Sequence, residues 1–173
     1  MTFTLYAATI PSNLQVLGAV AALITTAESW CTERGLPPDE LIQARLAPDM
    51  LPFAYQVKLT ATHSLGAIEG VRTGVFSPDR TPPPGDFAGL KSKIAQTIAA
   101  LETINPDEVN GFLGRDVMFV FGERRMPFVA ENFLLSFSQP NFYFHATTAY
   151  DILRWKGLPI GKRDFTGRLR LKT

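Results

Sequence analysis

The sequence is poor in the residues that most often carry chemistry: one cysteine and two histidines in 173 residues. A lone cysteine, Cys31, excludes a disulfide framework and suits a reducing compartment. The amino terminus "MTFTLYAATIPSN" lacks the basic start, long apolar core and small-residue cleavage site of a signal peptide, so the chain is expected to be cytoplasmic. Its longest apolar run, around "LGAVAALI", falls short of the roughly 18 residues of a membrane span, and no membrane association is expected. A net charge of +1 gives no general attraction to nucleic acid. The basic residues Arg154, Lys156, Lys162, Arg163, Arg168, Arg170 and Lys172 do crowd the carboxyl end against a single acid, Asp164. Without the interleaved aromatics of a single-strand binder, that run does not make a nucleic-acid site.

What is present is helical periodicity. The length fits one domain over residues 1–173. A first long helix is expected from Pro11, a residue suited to an opening turn, to a stop at Gly35, with Leu14, Leu17, Val20, Ala21, Ile24 and Ala27 on one buried face. A short helix fits Asp39 to Ala44. A second long helix runs from Pro52 to Gly74. The connection "GVFSPDRTPPPG" carries four prolines and is expected to be irregular throughout. A third helix follows the cap residue Asp86 and closes at Asn105-Pro106. Between Arg115 and Val129 the apolar period shortens on both sides of Gly122 to Arg125, which predicts a small β-hairpin. The fourth helix, Ala130 to Lys156, should be kinked or divided at Pro140, and the tail beyond it irregular. The second helix would be about 30 Å long at 1.5 Å per residue. The following connection reaches about 40 Å when extended, far enough for the second and third helices to run parallel.

The histidines set the candidate chemistry. Two metal-binding histidines on one helix stand at i and i+4; four residues after His145 comes Ala149. Thr148 and Asn141 share its face and are weak ligands, as are Gln56 and Thr60 beside His63, so the residues imply no metal and no cofactor. Ser64 lacks the G-x-S-x-G elbow of a nucleophile. Cys31 has no neighbour in sequence to activate it. "GLPIGKR" misses the spacing of a phosphate loop. Arg45 and Arg154 are explained as carbonyl caps or as partners of acids such as Asp49 or Asp151, and Tyr150 has a structural explanation as well.

The segments "ARLAPDMLPFAYQV" (Ala44 to Val57), "PNFYFHATTAYDILRWKG" (Pro140 to Gly157) and "IGKRDF" (Ile160 to Phe165) together closely resemble the bacterial and fungal DUF1993 family of the DinB/YfiT-like superfamily, essentially from end to end. The resemblance implies an all-α, four-helix bundle of up-down-down-up order, in a group often found as homodimers. In characterised relatives a three-histidine metal centre serves thiol-dependent transferase or isomerase chemistry. Its positions would fall on Gln56, His145 and Ala149, of which only His145 matches. The expectation is therefore a polar, metal-free cavity lined by Gln56, His145, Thr148, Tyr55 and Tyr150 that takes an unidentified small molecule. No catalytic residue is assigned. The alternatives are an enzyme of transferase or isomerase type using His145 as acid or base, and a dimerisation module.

Overall fold

The computed structural model describes residues 3–172. The protein is mostly helical, with a small three-stranded sheet. Helix α1 (Leu5–Arg34) starts earlier than its sequence suggests, because the Thr4 hydroxyl accepts the Ala7 N–H at 3.2 Å and caps the first turn. Pro11 therefore lies inside the helix and not at its start. There it removes the hydrogen bond to the Ala7 carbonyl and sets its ring against that carbonyl. The far end is as expected: Gly35 adopts the left-handed conformation (φ 61°) and Leu36 N–H reaches back to the Cys31 carbonyl at 2.9 Å. By length and composition α1 could cross a membrane, which the short apolar runs in its sequence did not suggest; half of its most apolar window is buried inside the protein. Leu17, Val20, Ile24 and Ala27 form that buried stripe.

After the short α2 (Asp39–Ile42), the second long helix runs in three parts, α3 (Phe53–Ala61), a π-helical turn π1 (Thr62–Gly66) and α4 (Ala67–Thr73). A π turn holds an extra residue and frees backbone carbonyls. Here the Ser64 hydroxyl serves the carbonyls of Thr60 (2.9 Å) and Ala61 (3.1 Å). The proline-rich connection is not irregular throughout. It opens with β1 (Val75–Phe76), which folds back on α4 so tightly that a Cβ on Gly70 would lie 2.9 Å from the Phe76 Cβ. The prolines begin only at Pro78, leaving Val75 and Phe76 free to pair. Farther along, the connection is clasped by Lys58, whose buried ammonium contacts the Asp79 carboxylate (3.0 Å), the Asp79 carbonyl (3.0 Å) and both oxygens of Thr81. Burial would raise the Asp79 carboxyl, but hydrogen bonds from Thr81 and from Lys58 prevail and hold it at about 2.

Helix α5 (Phe87–Glu102) begins at Asp86, which accepts the Gly89 N–H at 2.7 Å. Then comes α6 (Pro106–Asn110), a turn that the Asn105-Pro106 stop signal concealed. Strands β2 (Asp116–Phe121) and β3 (Arg124–Val129) make the expected hairpin around Gly122. β1 joins β2 in parallel, pairing Val75 with Met118 and Phe76 with Phe119. The last long helix comprises α7 (Ala130–Asn132), a second π turn π2 (Phe133–Ser138) and α8 (Gln139–Trp155). The α-helical run is divided close to where the sequence suggests, with Pro140 in the first turn of α8 directly after π2. The π turn just before it widens the backbone where the proline ring would meet the carbonyl four residues back. The tail is not wholly irregular either: α9 (Lys162–Thr166) forms because Asp164 accepts the Gly161 N–H at 2.7 Å, and it packs on α1.

α1 lies against α5 and α8, and α3 lies against α8 and α5, so the four long segments enclose one helical core. The same core continues into Phe76, Phe119, Phe128, Phe133 and Phe137, which fill the space between the sheet and π2.

Candidate functional site

Gln56 and His63 stand seven residues apart on the second long helix, and Ser138 and His145 stand seven apart on the fourth. Seven residues are close to two helical turns, so each pair shares a face. Where α3 and π1 pass π2 and α8, the pairs meet in opposite order. His145 Nδ1 lies 2.8 Å from Gln56 Oε1, and His63 Nδ1 lies 3.4 Å from Ser138 Oγ. The two helices are therefore antiparallel at this point.

The hydrogen bonds fix the His145 proton, and a longer contact biases that of His63 without holding it firmly. Gln56 Nε2 donates to the Leu51 carbonyl at 2.8 Å, so the oxygen of that amide faces His145 and must accept. His145 thus carries its proton on Nδ1. The Ser138 hydroxyl donates to the His63 carbonyl at 3.0 Å, which leaves its oxygen to accept from His63 Nδ1. In these tautomers both rings present an unprotonated Nε2, and among the described residues neither Nε2 has a hydrogen-bond partner. The rings stack on each other, centroids 5.6 Å apart and 20° from parallel.

Neutrality is enforced by the surroundings. Burial pushes His63 down to about 3, with the neighbouring His145 adding to the effect, and burial alone pushes His145 down to about 4. His63 also touches Phe76 (5.6 Å) and Phe137 (5.8 Å), while exposed Phe144 sets its edge toward His145 at 5.3 Å. The pair lies at the border between the helical core and the phenylalanine cluster.

Of the residues singled out in the sequence, the structure brings Gln56 and His145 together. Thr148 is buried one turn farther on, its hydroxyl donating to the Phe144 carbonyl at 2.7 Å. The Tyr55 ring lies 6.0 Å from Lys58 Nζ, and the Tyr150 ring lies 6.0 Å from Phe165, toward α9. His63 and Ser138 complete the cluster and are absent from the sequence-based set. The matching seven-residue spacings were the signal that could have found them. Sizeable hollows lie elsewhere, among them a groove of about 310 Å³ beside π1, between Glu69, Asp79 and Lys93.

The three-histidine centre does not fit these residues. Ala149 offers no donor atom, and the Gln56 oxygen is already taken by His145. Among the described residues no three His, Cys, Asp or Glu side chains converge as a metal site would require.

The family model described as "Domain of unknown function (DUF1993)" matches residues 5–166. The chain belongs to the DUF1993 family. Among solved structures it is similar to a DinB family member protein from Shewanella denitrificans, with a TM-score of 0.81 and 24% identity over 98% of this chain and 95% of that one. At that identity the likeness carries the DinB-like fold alone. No curated protein matches this DUF1993 chain.

Proposed function

We propose that this DUF1993 protein is a cytoplasmic small-molecule-binding bundle, its helices in up-down-down-up order, whose ligand is taken at His145. The observation that carries the reading is the polarity of that ring. Gln56 holds the proton on Nδ1, so Nε2 is a fixed acceptor at the edge of an aromatic surface. A ligand that suits it has an N–H or O–H donor on an apolar body. Thr148, one turn farther on the same helix, keeps free lone pairs, while Tyr55 and Tyr150 lie against Lys58 and Phe165 and take no part in this reading.

Acid or base catalysis by His145 is the weaker reading. A ring titrating at about 4 is not an imidazolium at neutral pH, so it is no general acid there, and it is a feeble base. Binding by acceptance needs neither property. The cytoplasmic assignment rests on Cys31, a buried thiol whose ionisation burial suppresses, with Glu40 nearby adding to the effect.

Thermal shift against a compound library, with wild type and His145→Phe in parallel, tests the binding reading. The variant leaves the Gln56 oxygen unpaired at about 1 to 3 kcal/mol, so its baseline melting temperature should be lower by about 2 to 12 °C. Compounds with a donor group should raise the melting point of wild type and leave the variant unmoved. Hits that stabilise both proteins equally would refute binding at His145.

Homodimerisation is the second part of the proposal. "NFLLSF" (Asn132 to Phe137) is apolar nearly all round, and although Phe133 and Leu134 are buried, Leu135 stays exposed beside Phe3 and Leu113. A two-fold contact would cover this patch. Light scattering at micromolar concentration should return twice the 19.1 kDa chain mass, and Leu135→Glu should restore the monomer. A wild-type monomer counts against the dimer.

A further inference from the structure

On a different face of π1 from the groove, α1 closes against π1 and the junction of π2 with α8 to leave a cavity of about 10 Å³. Thr9, Asn13, His63, Ser64, Ser138 and Gln139 contribute to its wall. Asn13 is the residue without an explanation: it is 6% exposed, yet among the described residues its carboxamide has no hydrogen-bond partner. Burying an amide unpaired costs about 1 to 3 kcal/mol on mutational scales. No side-chain nitrogen or oxygen among the described residues is both sealed off and unpartnered, so the Asn13 amide keeps open surface, and the cavity is the space beside it.

The hydroxyl hydrogens of this wall are already committed. Thr9 donates to the Leu5 carbonyl (2.7 Å), Ser64 to Thr60 (2.9 Å) and Ser138 to His63 (3.0 Å). Gln139 Nε2 donates to the Ala8 carbonyl at 3.0 Å. The wall therefore offers lone pairs, and Asn13 Nδ2 is its main free donor. An occupant must donate at least two hydrogens, accept one, and fit a space about the size of one water. None of the wall residues is charged at neutral pH, so nothing there compensates a cation.

We propose that one buried water occupies this cavity, accepting from Asn13 Nδ2 and donating to His63 Nε2 and to the Thr9 hydroxyl oxygen. Asn13 is then a positioning residue acting on the histidine pair through that water. The water holds His63 in the form protonated at Nδ1, which keeps its bond to Ser138 and sets its face against His145. The first helix, which supplies no side chain to the pair directly, thereby fixes one of its two rings.

Nitrogen-15 NMR of the imidazoles, together with water-to-protein cross-relaxation, tests this in the full-length protein. Wild type should show His63 as a single Nδ1–H tautomer and a long-lived water next to the Asn13 side-chain amide. In Asn13→Leu, which roughly conserves volume, the water signal should vanish and His63 should become a mixture of tautomers. His145, held independently by Gln56, should keep its single tautomer in the same spectrum. An unchanged His63 signature in Asn13→Leu overturns the proposal, as does the absence of a long-lived water in wild type, which needs no variant to fold. Exchange of sodium chloride for ammonium chloride should leave the His63 and Asn13 signals alone; a saturable shift with ammonium would make the occupant a cation and overturn the assignment to water.

Discussion

Between pH 7 and pH 5 the protein should lose about 4 kcal/mol of stability from its two histidines alone. Both rings titrate well below their ordinary value in the folded state, His63 at about 3 and His145 at about 4, with burial as the main cause. In the unfolded chain each takes up its proton near pH 6.5. The unfolded state therefore binds protons first, and stability is complete above that value. It falls by up to about 1.4 kcal/mol per pH unit for each ring until the folded rings protonate in turn. The melting temperature should drop by about 8 to 16 °C over this interval. Carboxylates contribute little there. Asp79, depressed to about 2 by Thr81 and Lys58 against the effect of burial, adds stability that disappears only as pH falls from about 4 toward 2. Melts of wild type and His145→Phe across the range check the assignment: the variant should show half the slope. A melting temperature that stays level from pH 7 to pH 5 would mean that the rings are not buried as described.

Phe133→Ala is expected to be the most damaging single truncation, at about 3 to 5 kcal/mol. The side chain is 0% exposed and its ring meets Phe76 at 5.2 Å, Phe137 at 5.6 Å and Phe128 at 5.8 Å, so it joins β1, β3 and its own π turn. Removing it opens a cavity that the stiff neighbouring rings cannot fill. Phe76 and Phe137 also flank His63, so the His63 resonances should shift in the variant while the melting temperature falls by about 6 to 20 °C. Chemical denaturation giving a loss below about 1 kcal/mol would show that the cluster collapses without cost and does not hold the histidine in place.

The helices and the hairpin were legible because their signals are local. Gly35, Gly74 and Asp86 act within one turn, and the shortened apolar period around Gly122 needs no knowledge of the rest of the chain. The departures come from two sources, local caps that other signals hid and residues whose meaning depends on distant partners. Pro11 reads as a start, but Thr4 had already capped the helix. Val75 and Phe76 become a strand only because β2 lies alongside. His145 stood out as one of two histidines, and Gln56 was joined to it through the family resemblance. His63 and Ser138 were missed, since no single helix shows that two seven-residue spacings will be laid against each other in reverse.

The two π turns also hid the pattern. In the second long helix the residues before π1 face other helices, whereas those of α4 meet β1, β2 and π2. A straight α-helix serving both sets of neighbours would need apolar residues around most of its circumference. The extra residue of π1 rotates the second half about the axis, so one narrow stripe can turn from the helical core to the sheet partway along. π2 lies opposite, where the fourth helix passes the same border. The turns mark where both helices pass from helical neighbours to the sheet within one continuous core, and the histidine pair lies at that passage.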